Sequence, residues 1–309
     1  MSVYKLNSIL LLTVFFILNS CGNDDKEDIT NEPQAVYTPL ISYNMKDGVL
    51  GDGFLNWFES EYDATHFVSE GKSIKISTRP STSLPICSGD HFFAGRTTLD
   101  TKLQIPQGKT LWYRVMHYIP STFSFGYKYG GVLGDEVDAE ACNQFADGNT
   151  WLKWMVVSPT SGGRVYLQPS ENRRNITHAV NQIRLITGTD NDFLDIEAVF
   201  PKDQWFALQI AVKVSNGSDG FVRAWIDDTF LGEKKGPTFP EEASIMDWGI
   251  GDYWNGVPWT DGEAGRTAFW IDEIILATDI EGYGAPTTLD KGGRPYINAS
   301  ARVKDFNSK

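Results

Sequence analysis

Residues 204–227 read QWFALQIAVKVSNGSDGFVRAWID, and this stretch decides the fold. Every second position of its first half is apolar, which predicts a strand with one core face formed by Phe206, Leu208, Ile210, Val212 and Val214. The opposite face, which we expect to be exposed or to contact a ligand, carries Trp205, Gln209 and Lys213. Residues 216–220 have the composition of a tight turn, and residues 221–227 return as the second strand of an antiparallel hairpin.

The same pattern of strands and turns extends over most of the chain. Residues 73–77 alternate cleanly, and residues 267–277 form another strand. Residues 111–119 are bulky on both faces, which is typical of a strand in the middle of a sheet. Helical signals are few, and residues 173–185 predict only a short helix or a long loop. Because no βαβ rhythm is present, we expect an all-β sandwich of antiparallel sheets.

Length, composition and charge narrow the functional classes. The chain has 309 residues, 41% of them hydrophobic, and no change in composition divides residues 36–280, so we expect one large β domain there. Residues 281–309 are expected to form an irregular C-terminal extension. The net charge of −13 excludes nucleic acid as a partner, because phosphate binding needs a basic surface. An acidic polysaccharide fits only if the cations gather in one cleft.

Residues 1–20 have the features of a signal peptide. Lys5 supplies a positive charge, and residues 9–18 form an apolar run that is too short to span a bilayer. The junction LNSC, which ends at Cys21, resembles the lipobox of bacterial lipoproteins. The resemblance implies that Cys21 is lipidated, and the alternative is an ordinary leader with a chance cysteine. Residues 21–35 are polar and predict a flexible acidic tether.

The acidic run GNDDKED after Cys21 resembles the export signal of surface lipoproteins in Gram-negative polysaccharide degraders. It implies a surface-exposed lipoprotein of the outer membrane that contacts the membrane through its lipid anchor only; otherwise the protein is periplasmic or secreted. In such an oxidising compartment we expect the two remaining cysteines, Cys87 and Cys142, to form a disulfide. Nothing in the sequence indicates an oligomeric state.

No metal or cofactor is predicted. The four histidines, at positions 66, 91, 117 and 178, are scattered, and the cysteines lack the spacing of a zinc site. A structural calcium ion is compatible with a β-sandwich, but no loop has the spacing of ligands that calcium needs. We therefore expect the chemistry to rest on amino-acid side chains.

A candidate ligand surface lies in the middle of the chain. It comprises the runs YKYGG (127–131), WLKW (151–154) and RVYLQ (164–168). Because side chains alternate along a strand, Trp151 and Lys153 share one face of the second run, and Arg164, Tyr166 and Gln168 share one face of the third. Such a face suits a long anionic ligand built of rings, because cations bind carboxylates and indoles stack on sugar rings.

Several runs, taken in order, resemble the β-jelly-roll polysaccharide lyases of families 14 and 20, which act on alginate and glucuronan. They are LWYR (111–114), YKYGG (127–131), QW (204–205), DGFVRAWID (219–227) and WIDEI (270–274). The resemblance covers residues 110–277 and implies a concanavalin A-like β-jelly-roll sandwich of two antiparallel sheets. The DGFVRAWID hairpin also occurs in non-catalytic lectin-like sandwiches, so the resemblance concerns the fold more than the activity.

The resemblance also implies roles for individual residues. Lys128 occupies the place of the lysine that precedes the glycine segment in those lyases. Trp151 and Lys153 stand where the lyases carry a serine and an arginine, so the charge is kept and the hydroxyl is lost. Tyr166 and Gln168 stand where they carry two tyrosines, which leaves one phenol.

A further similarity lies upstream, in the run GRTTL (95–99). It resembles the strand of jelly-roll alginate lyases whose arginine holds the substrate, and the matching residue here is Arg96. Thr98 replaces the glutamate of those enzymes. The run VYLQ (165–168) is similar to their tyrosine-x-glutamine strand.

These residue types suit the β-elimination of a uronate. Its C5 proton becomes removable when the carboxylate is neutralised, a base takes that proton, and an acid protonates the departing glycosidic oxygen. We expect Tyr166 to transfer the proton, Lys128 to favour its phenolate, and Lys153 to help neutralise the carboxylate. The expected substrate-binding residues are Arg96, His91, Trp151, Arg164, Gln168, Tyr129, Trp254 and Trp259.

Two histidines are alternative bases. His91 lies beside two phenylalanines and just before Arg96, in an open context. His117 shares a strand face with Tyr113 and Val115, which favours a hydrogen-bonded core histidine. The aromatic run from Trp248 to Trp259 is interrupted by glycines and a proline, so we expect it to be too hinged for one continuous core strand.

Two other functional classes are weighed against the lyase. A non-catalytic surface glycan-binding lipoprotein of the same fold would need every feature except proton transfer. A jelly-roll glycoside hydrolase needs two carboxylates that flank the bond. Asp195 and Glu197 alternate on one strand but do not reproduce the E-x-D-x-x-E strand of laminarinase-like hydrolases, and Asp272 and Glu273 are adjacent and face opposite ways. The lyase is therefore the first prediction.

Overall fold

The structure is a computed structural model, and it describes twelve ranges of the chain: residues 37–43, 54–57, 60–68, 71–78, 93–99, 104–122, 152–159, 165–171, 181–187, 192–239, 243–254 and 267–306. All of them belong to one compact unit, Val36–Lys309. Within these ranges no helix is long and apolar enough to cross a membrane.

The described residues form eighteen β-strands and one short 3-10 helix, Val303–Asp305. In chain order the strands are β1 (Ile41–Tyr43), β2 (Phe54–Trp57), β3 (Ser60–Asp63), β4 (Ser73–Thr78), β5 (Phe93–Leu99), β6 (Gln104–Ile105), β7 (Thr110–Tyr118), β8 (Leu152–Pro159), β9 (Val165–Glu171), β10 (Asn181–Thr187), β11 (Asp192–Glu197), β12 (Trp205–Lys213), β13 (Phe221–Ile226), β14 (Thr229–Lys235), β15 (Ala243–Trp254), β16 (Thr267–Thr278), β17 (Thr287–Leu289) and β18 (Pro295–Ile297).

Sixteen of these strands form two sheets of eight. The first sheet has the order β14-β13-β12-β7-β16-β4-β3, with β1 paired to β16, and the second has the order β11-β10-β9-β8-β15-β5-β2, with β6 paired to β15. The predicted hairpin is confirmed, because β12 and β13 pair antiparallel. β7 lies between β12 and β16, as its two bulky faces predict. The predicted jelly-roll sandwich of two antiparallel sheets is confirmed.

The core lies between the inward faces of the two sheets. All five apolar residues of the predicted core face, from Phe206 to Val214, are at most 1% exposed. They pack in one cluster with Tyr113 and Val115 of β7 and with Leu167 of β9. Full burial of a large apolar side chain contributes about 1.5–3 kcal/mol, so this cluster is the main stabilising element of the sandwich.

The other face of the first sheet is covered by the residues that follow β16. A second apolar cluster joins Trp112 and Trp225 of the sheet to Tyr296 and Phe306 of the C-terminal segment, which we define as residues 281–306. The Trp112 Nε1 donates a hydrogen bond to the Pro295 carbonyl at 3.1 Å. The rings of Trp225 and Tyr296 stack with their centroids 5.9 Å apart.

This cover corrects the expectation for Gln209. We expected its face of β12 to be exposed or to contact a ligand, but Gln209 is 2% exposed, and its Oε1 accepts a hydrogen bond from the Ile297 N–H at 3.1 Å. Gln209, a polar residue in an otherwise apolar strand, therefore accepts a hydrogen bond from the backbone of the C-terminal segment. The alternation of β12 correctly separates its two faces. The polar face is nevertheless buried, because a segment almost ninety residues away along the chain covers it.

A buried arginine holds the same segment. Arg114 of β7 is fully buried, and its Nη1 donates to the Ala301 carbonyl at 2.6 Å. Its Nη2 lies 3.9 Å from Oε2 of Glu273, which is also buried. Burial lowers the pKa of Arg114 to about 10, although the charge of Glu273 opposes that shift, so the guanidinium stays protonated at neutral pH. A buried charge needs such partners, because desolvation would otherwise destabilise the fold.

One further local expectation was wrong. The stretch 173–185, predicted as a short helix or a long loop, ends in strand β10, which pairs on both sides with β9 and β11. The first part of the aromatic run, up to Trp254, belongs to β15 between β8 and β5, and a register shift interrupts it between Ile250 and Tyr253. The rest of the run, with Trp259, lies outside the described residues.

The turn between β17 and β18 is fastened to the first sheet by Asp290. This carboxylate accepts hydrogen bonds from the Trp225 Nε1 at 3.1 Å and from the Arg294 Nε at 2.8 Å. The backbone N–H groups of Gly292 and Arg294 donate to its other oxygen. Burial opposes the charged form, but these hydrogen bonds outweigh burial and lower the pKa of Asp290 to about 2.

We predict that Asp290→Asn lowers the free energy of unfolding by about 1–3 kcal/mol at pH 7, because charge-assisted hydrogen bonds are lost. The carboxylate stabilises the fold above its unfolded pKa of about 3.9, and this contribution disappears as the pH falls towards 2. Urea unfolding at pH 7 and pH 3 measures both effects, with the smaller difference between variant and wild type at pH 3.

The matched control for this substitution is Glu61→Gln. It removes a carboxylate whose partner is Lys75 and whose side chain is 64% exposed, so we expect a change below about 1 kcal/mol. Equal losses in the two variants would contradict the role given to Asp290.

Candidate functional site

One row of paired residues fixes which way the second sheet faces. Thr97, Ile250, Met155, Leu167 and Leu185 are direct partners across five strands, from β5 to β10. Met155, Leu167 and Leu185 are fully buried in the core. Because neighbouring positions on a strand face opposite ways, the rows on either side of this inward row belong to the outer face of the sheet.

The first outward row contains a tyrosine at its centre. We call it the tyrosine row: Thr98, Gly249, Val156, Tyr166, Ile186 and Phe193. Within β9, Val165 and Leu167 are buried on either side of Tyr166, which supports its outward position independently. Tyr166 thus occupies a strand in the interior of the sheet, with β8 on one side and β10 on the other.

The second outward row carries most of the charge. We call it the arginine row, and its members are Arg96, Gly251, Gln168, Arg184 and Asp195. Arg96 pairs with Gly251, and Gln168 pairs with Arg184, which in turn pairs with Asp195. Strands lie about 4.8 Å apart, so Gln168 and Arg184 are close neighbours.

Lys153 lies on β8, next to the strand that carries Tyr166. Its neighbour Trp154 is fully buried between the sheets, with its ring 4.2 Å from that of Phe269 by centroids. Met155 is buried too, so the alternation of β8 breaks here, opposite the register shift of β15. Counted from the inward Trp154, position 153 falls on the outer face, whereas counted from the inward Met155 it falls on the inner face, so alternation does not assign Lys153 to either face.

These positions bring two cations, Arg96 and Arg184, to one face of a chain whose net charge is −13. Lys153 lies on a strand between them, and Asp195 is the acidic member of the arginine row. Cations gathered in this way attract carboxylates, which a uniformly acidic surface would repel. The outward rows can therefore contact an acidic ligand, and they include the phenol-bearing position Tyr166.

Of the remaining predicted site residues, only Trp254 lies within the described residues. Trp254 pairs with Leu152. The aromatic residue directly opposite Lys153 is instead Tyr253, the neighbour of Trp254. The others lie outside the described residues: His91, Lys128, Tyr129, Trp151, Arg164 and Trp259, together with Cys21, Cys87 and Cys142.

Two residues of the second sheet were not among the predicted site residues. Arg184 lies in the strand NQIRLIT, in which alternation places Ile183 and Leu185 inward and Arg184 outward. The prediction of a short helix or loop for this stretch concealed that pattern. Tyr253 could not be chosen over Trp254 from the sequence, because the choice depends on the register shift that follows Ile250.

A comparison with protein families decides the identity of the domain. A family model described as polysaccharide lyase matches residues 47–275, well over half of the chain, and this range includes both outward rows. The chain belongs to the polysaccharide lyase family. The resemblance inferred from the sequence is therefore confirmed. No curated protein matches the chain.

Several solved structures are similar to this chain. An endo-β-1,4-glucuronan lyase from the fungus Trichoderma reesei has a TM-score of 0.50 and 8% identity, over 77% of this chain and 95% of that one. The alginate lyase Aly36B has a TM-score of 0.47 and 9% identity, over 77% and 97% of the two chains. The cellulose-induced protein Cip1 has values of 0.46 and 13%, over 77% and 96%. At such low identity the glucuronan lyase shows the shared fold alone.

His117 of this lyase-family domain is a core residue, as its strand pattern predicts. It is fully buried, and its Nδ1 lies 3.0 Å from the Val115 carbonyl. Its ring stacks between those of Trp154 and Phe206, each 5.8 Å away by centroids. Burial lowers the pKa of His117 to about 3, although the hydrogen bond opposes the shift. A polysaccharide cannot reach it, so His117 is excluded as the base.

The carboxylates of the hydrolase alternative are also placed. Asp195 and Glu197 lie on β11, at the edge of the second sheet. Asp272 and Glu273, although adjacent, are both fully buried in the first sheet, where a bulge interrupts β16. Neither pair flanks the centre of the outward rows. Among the described residues no group of three His, Cys, Asp or Glu could hold a metal ion.

We predict that His117 makes the fold sensitive to mild acid. The unfolded chain binds a proton near pH 6.5, whereas the folded chain does not until about pH 3, so stability falls as the pH drops between these values. His117→Phe keeps the ring packing and should flatten this dependence. Urea unfolding from pH 8 to pH 5 tests it, and parallel profiles for the variant and the wild type would contradict it.

Proposed function

We propose that this protein cleaves a uronic-acid-containing polysaccharide, of the glucuronan, alginate or ulvan type, by β-elimination. The observation that supports this most is the common outward face of Tyr166 and the cationic positions 96 and 184, with Lys153 on the strand beside Tyr166. The β-elimination of a uronate needs a cation and a proton-transfer group on the same side of the sheet. The cation neutralises the carboxylate while the second group removes the C5 proton.

The proposed reaction needs no external reactant. A base removes the C5 proton, the electrons of that C–H bond form the C4–C5 double bond, and the C4–O bond breaks. An acid protonates the departing oxygen, so the products are one new chain end and one unsaturated uronate. Tyr166 is the proposed proton-transfer group, with Lys128 as the cation that favours its phenolate.

The proposed role of the cations is to bind the carboxylate of the uronate. In the proposal Lys153 and Arg96 neutralise it, and Gln168 donates a hydrogen bond to the substrate. Neutralisation stabilises the charge that develops at C5 as the proton leaves, and such preorganised electrostatic stabilisation is a large part of enzymatic catalysis. Arg184, the register partner of Gln168, extends the same cationic row towards the edge of the sheet.

We predict that Tyr166→Phe abolishes most of the activity while leaving the fold intact. Loss of a general acid or base lowers kcat by about 100-fold or more. The measurement is ultraviolet absorbance of the unsaturated product, with glucuronan as the first substrate and alginate and ulvan beside it. Tyr62→Phe is the matched control, because Tyr62 is a 36% exposed phenol on β3 of the other sheet.

Each outcome of this assay has a distinct meaning. A rise in absorbance that Tyr166→Phe removes and Tyr62→Phe keeps supports the lyase. Equal activity in Tyr166→Phe would reject Tyr166 as the proton-transfer group. Binding of an acidic glycan without any rise for the wild type would favour the non-catalytic surface glycan-binding protein instead.

The protein is further proposed to work at the cell surface as a lipoprotein of the outer membrane, anchored through Cys21, with a disulfide between Cys87 and Cys142. The supporting observation is the leader, lipobox-like junction and acidic tether of residues 1–35. We predict that Cys21→Ala moves the protein from the membrane fraction to the soluble fraction of expressing Gram-negative cells. Retention of this variant in the membrane fraction would contradict the anchor.

A further inference from the structure

Two glycines occupy the outward positions of a strand in the interior of the second sheet. Gly249 belongs to the tyrosine row and Gly251 to the arginine row, while Ile250 between them belongs to the inward row. β15 pairs with β8 on one side and with β5 on the other. Glycine in the interior of a strand weakens it, and often marks a place where a ligand approaches the backbone closely.

The glycine at position 249 lies in a regular part of the sheet, so it is not explained by a bulge. Gly251 lies beside the register shift of β15, and an irregular backbone there is reason enough for a glycine. Gly249 lies within the regular pairs, where Trp248, Gly249 and Ile250 each have one partner on both neighbouring strands. Regular pairing by itself does not call for a glycine, and a β-branched residue is more common at such a position.

The neighbours of Gly249 bound a lane of small residues. Gly249 pairs with Thr98 of β5 and with Val156 of β8, and Val156 pairs with Tyr166. From β5 to β8 this lane spans about 10 Å, and Tyr166 stands one strand further. The arginine row lies two residues away on β5, β15, β9 and β10, whereas the corresponding position on β8 holds the buried Trp154.

We propose that Gly249 forms the floor of the subsite in which the reacting uronate lies. The sugar ring lies against the bare backbone of β15, with Tyr166 at one end of the lane and the arginine row along the side that receives the carboxylate. A side chain at position 249 would fill the space that the ring needs. The identity of the ligand, a uronate ring, rests on the proposed function. Gly249 is an additional residue, which determines whether that ring can enter the subsite.

The test compares Gly249→Val and Gly249→Ala with the wild type. We expect Gly249→Val to keep or raise the Tm, because valine favours a strand, while the KM on the cleaved polysaccharide and the Kd for its oligosaccharides rise by about tenfold or more. Gly249→Ala should lie between the two, which also covers the case that the valine variant fails to fold. Gly284→Val is the control, because a Cβ at Gly284 meets nothing within 4 Å and the residue lies in the C-terminal segment.

Separate measurements keep this inference apart from the proposed function. If the wild type binds acidic oligosaccharides but makes no unsaturated product, the lyase fails, and the floor is still tested by the Kd of Gly249→Val. If Gly249→Val or Gly249→Ala folds and both KM and Kd stay within twofold of the wild type, the floor is wrong whatever the reaction. A wild type that neither binds nor cleaves any of these glycans overturns both.

Discussion

The burial of Met155, Leu167 and Leu185 against the first sheet is the constraint on which the rest of the molecule depends. These residues form one continuous inward row, so they fix the register of β8, β9 and β10 together. A slip of one residue would carry Tyr166 and Gln168 into the core and turn the apolar row to solvent, at a cost of several kcal/mol. The packing that stabilises the sandwich therefore also determines which side chains form its chemical face.

The two sheets use their outer faces differently. The first sheet hides its outer face beneath the C-terminal segment, where Arg114 and Gln209 bind backbone groups of that segment. The second sheet has a tyrosine and two cationic positions, Arg96 and Arg184, on its outward rows. Acidic residues outnumber basic ones in the chain by 40 to 27, so two cationic positions in one row depart from the average charge of the protein.

Alternation along the strands was sufficient to predict a sandwich of antiparallel sheets, and the resemblance to the lyase families added the jelly-roll topology. Phe206 to Val214 form a buried face of β12, and residues 111–118 belong to the interior strand β7, as their patterns predict. The fate of Gln209 was not predictable, because its face is covered by a segment distant in the chain. For the same reason the sequence could order Lys153, Tyr166 and Arg96 along the chain but could not bring them together. Strand pairing and the bulge in β15 decide that.

The position of the covering segment in the chain has a consequence for biogenesis. Residues 281–306 follow every described strand of both sheets, so synthesis delivers them after the strands that they cover. Until they arrive, Trp112 and Trp225 form an apolar patch on the first sheet that is open to water, and such patches favour aggregation. A chain cut after β16 would keep the sixteen described strands of the sandwich and yet be prone to self-association.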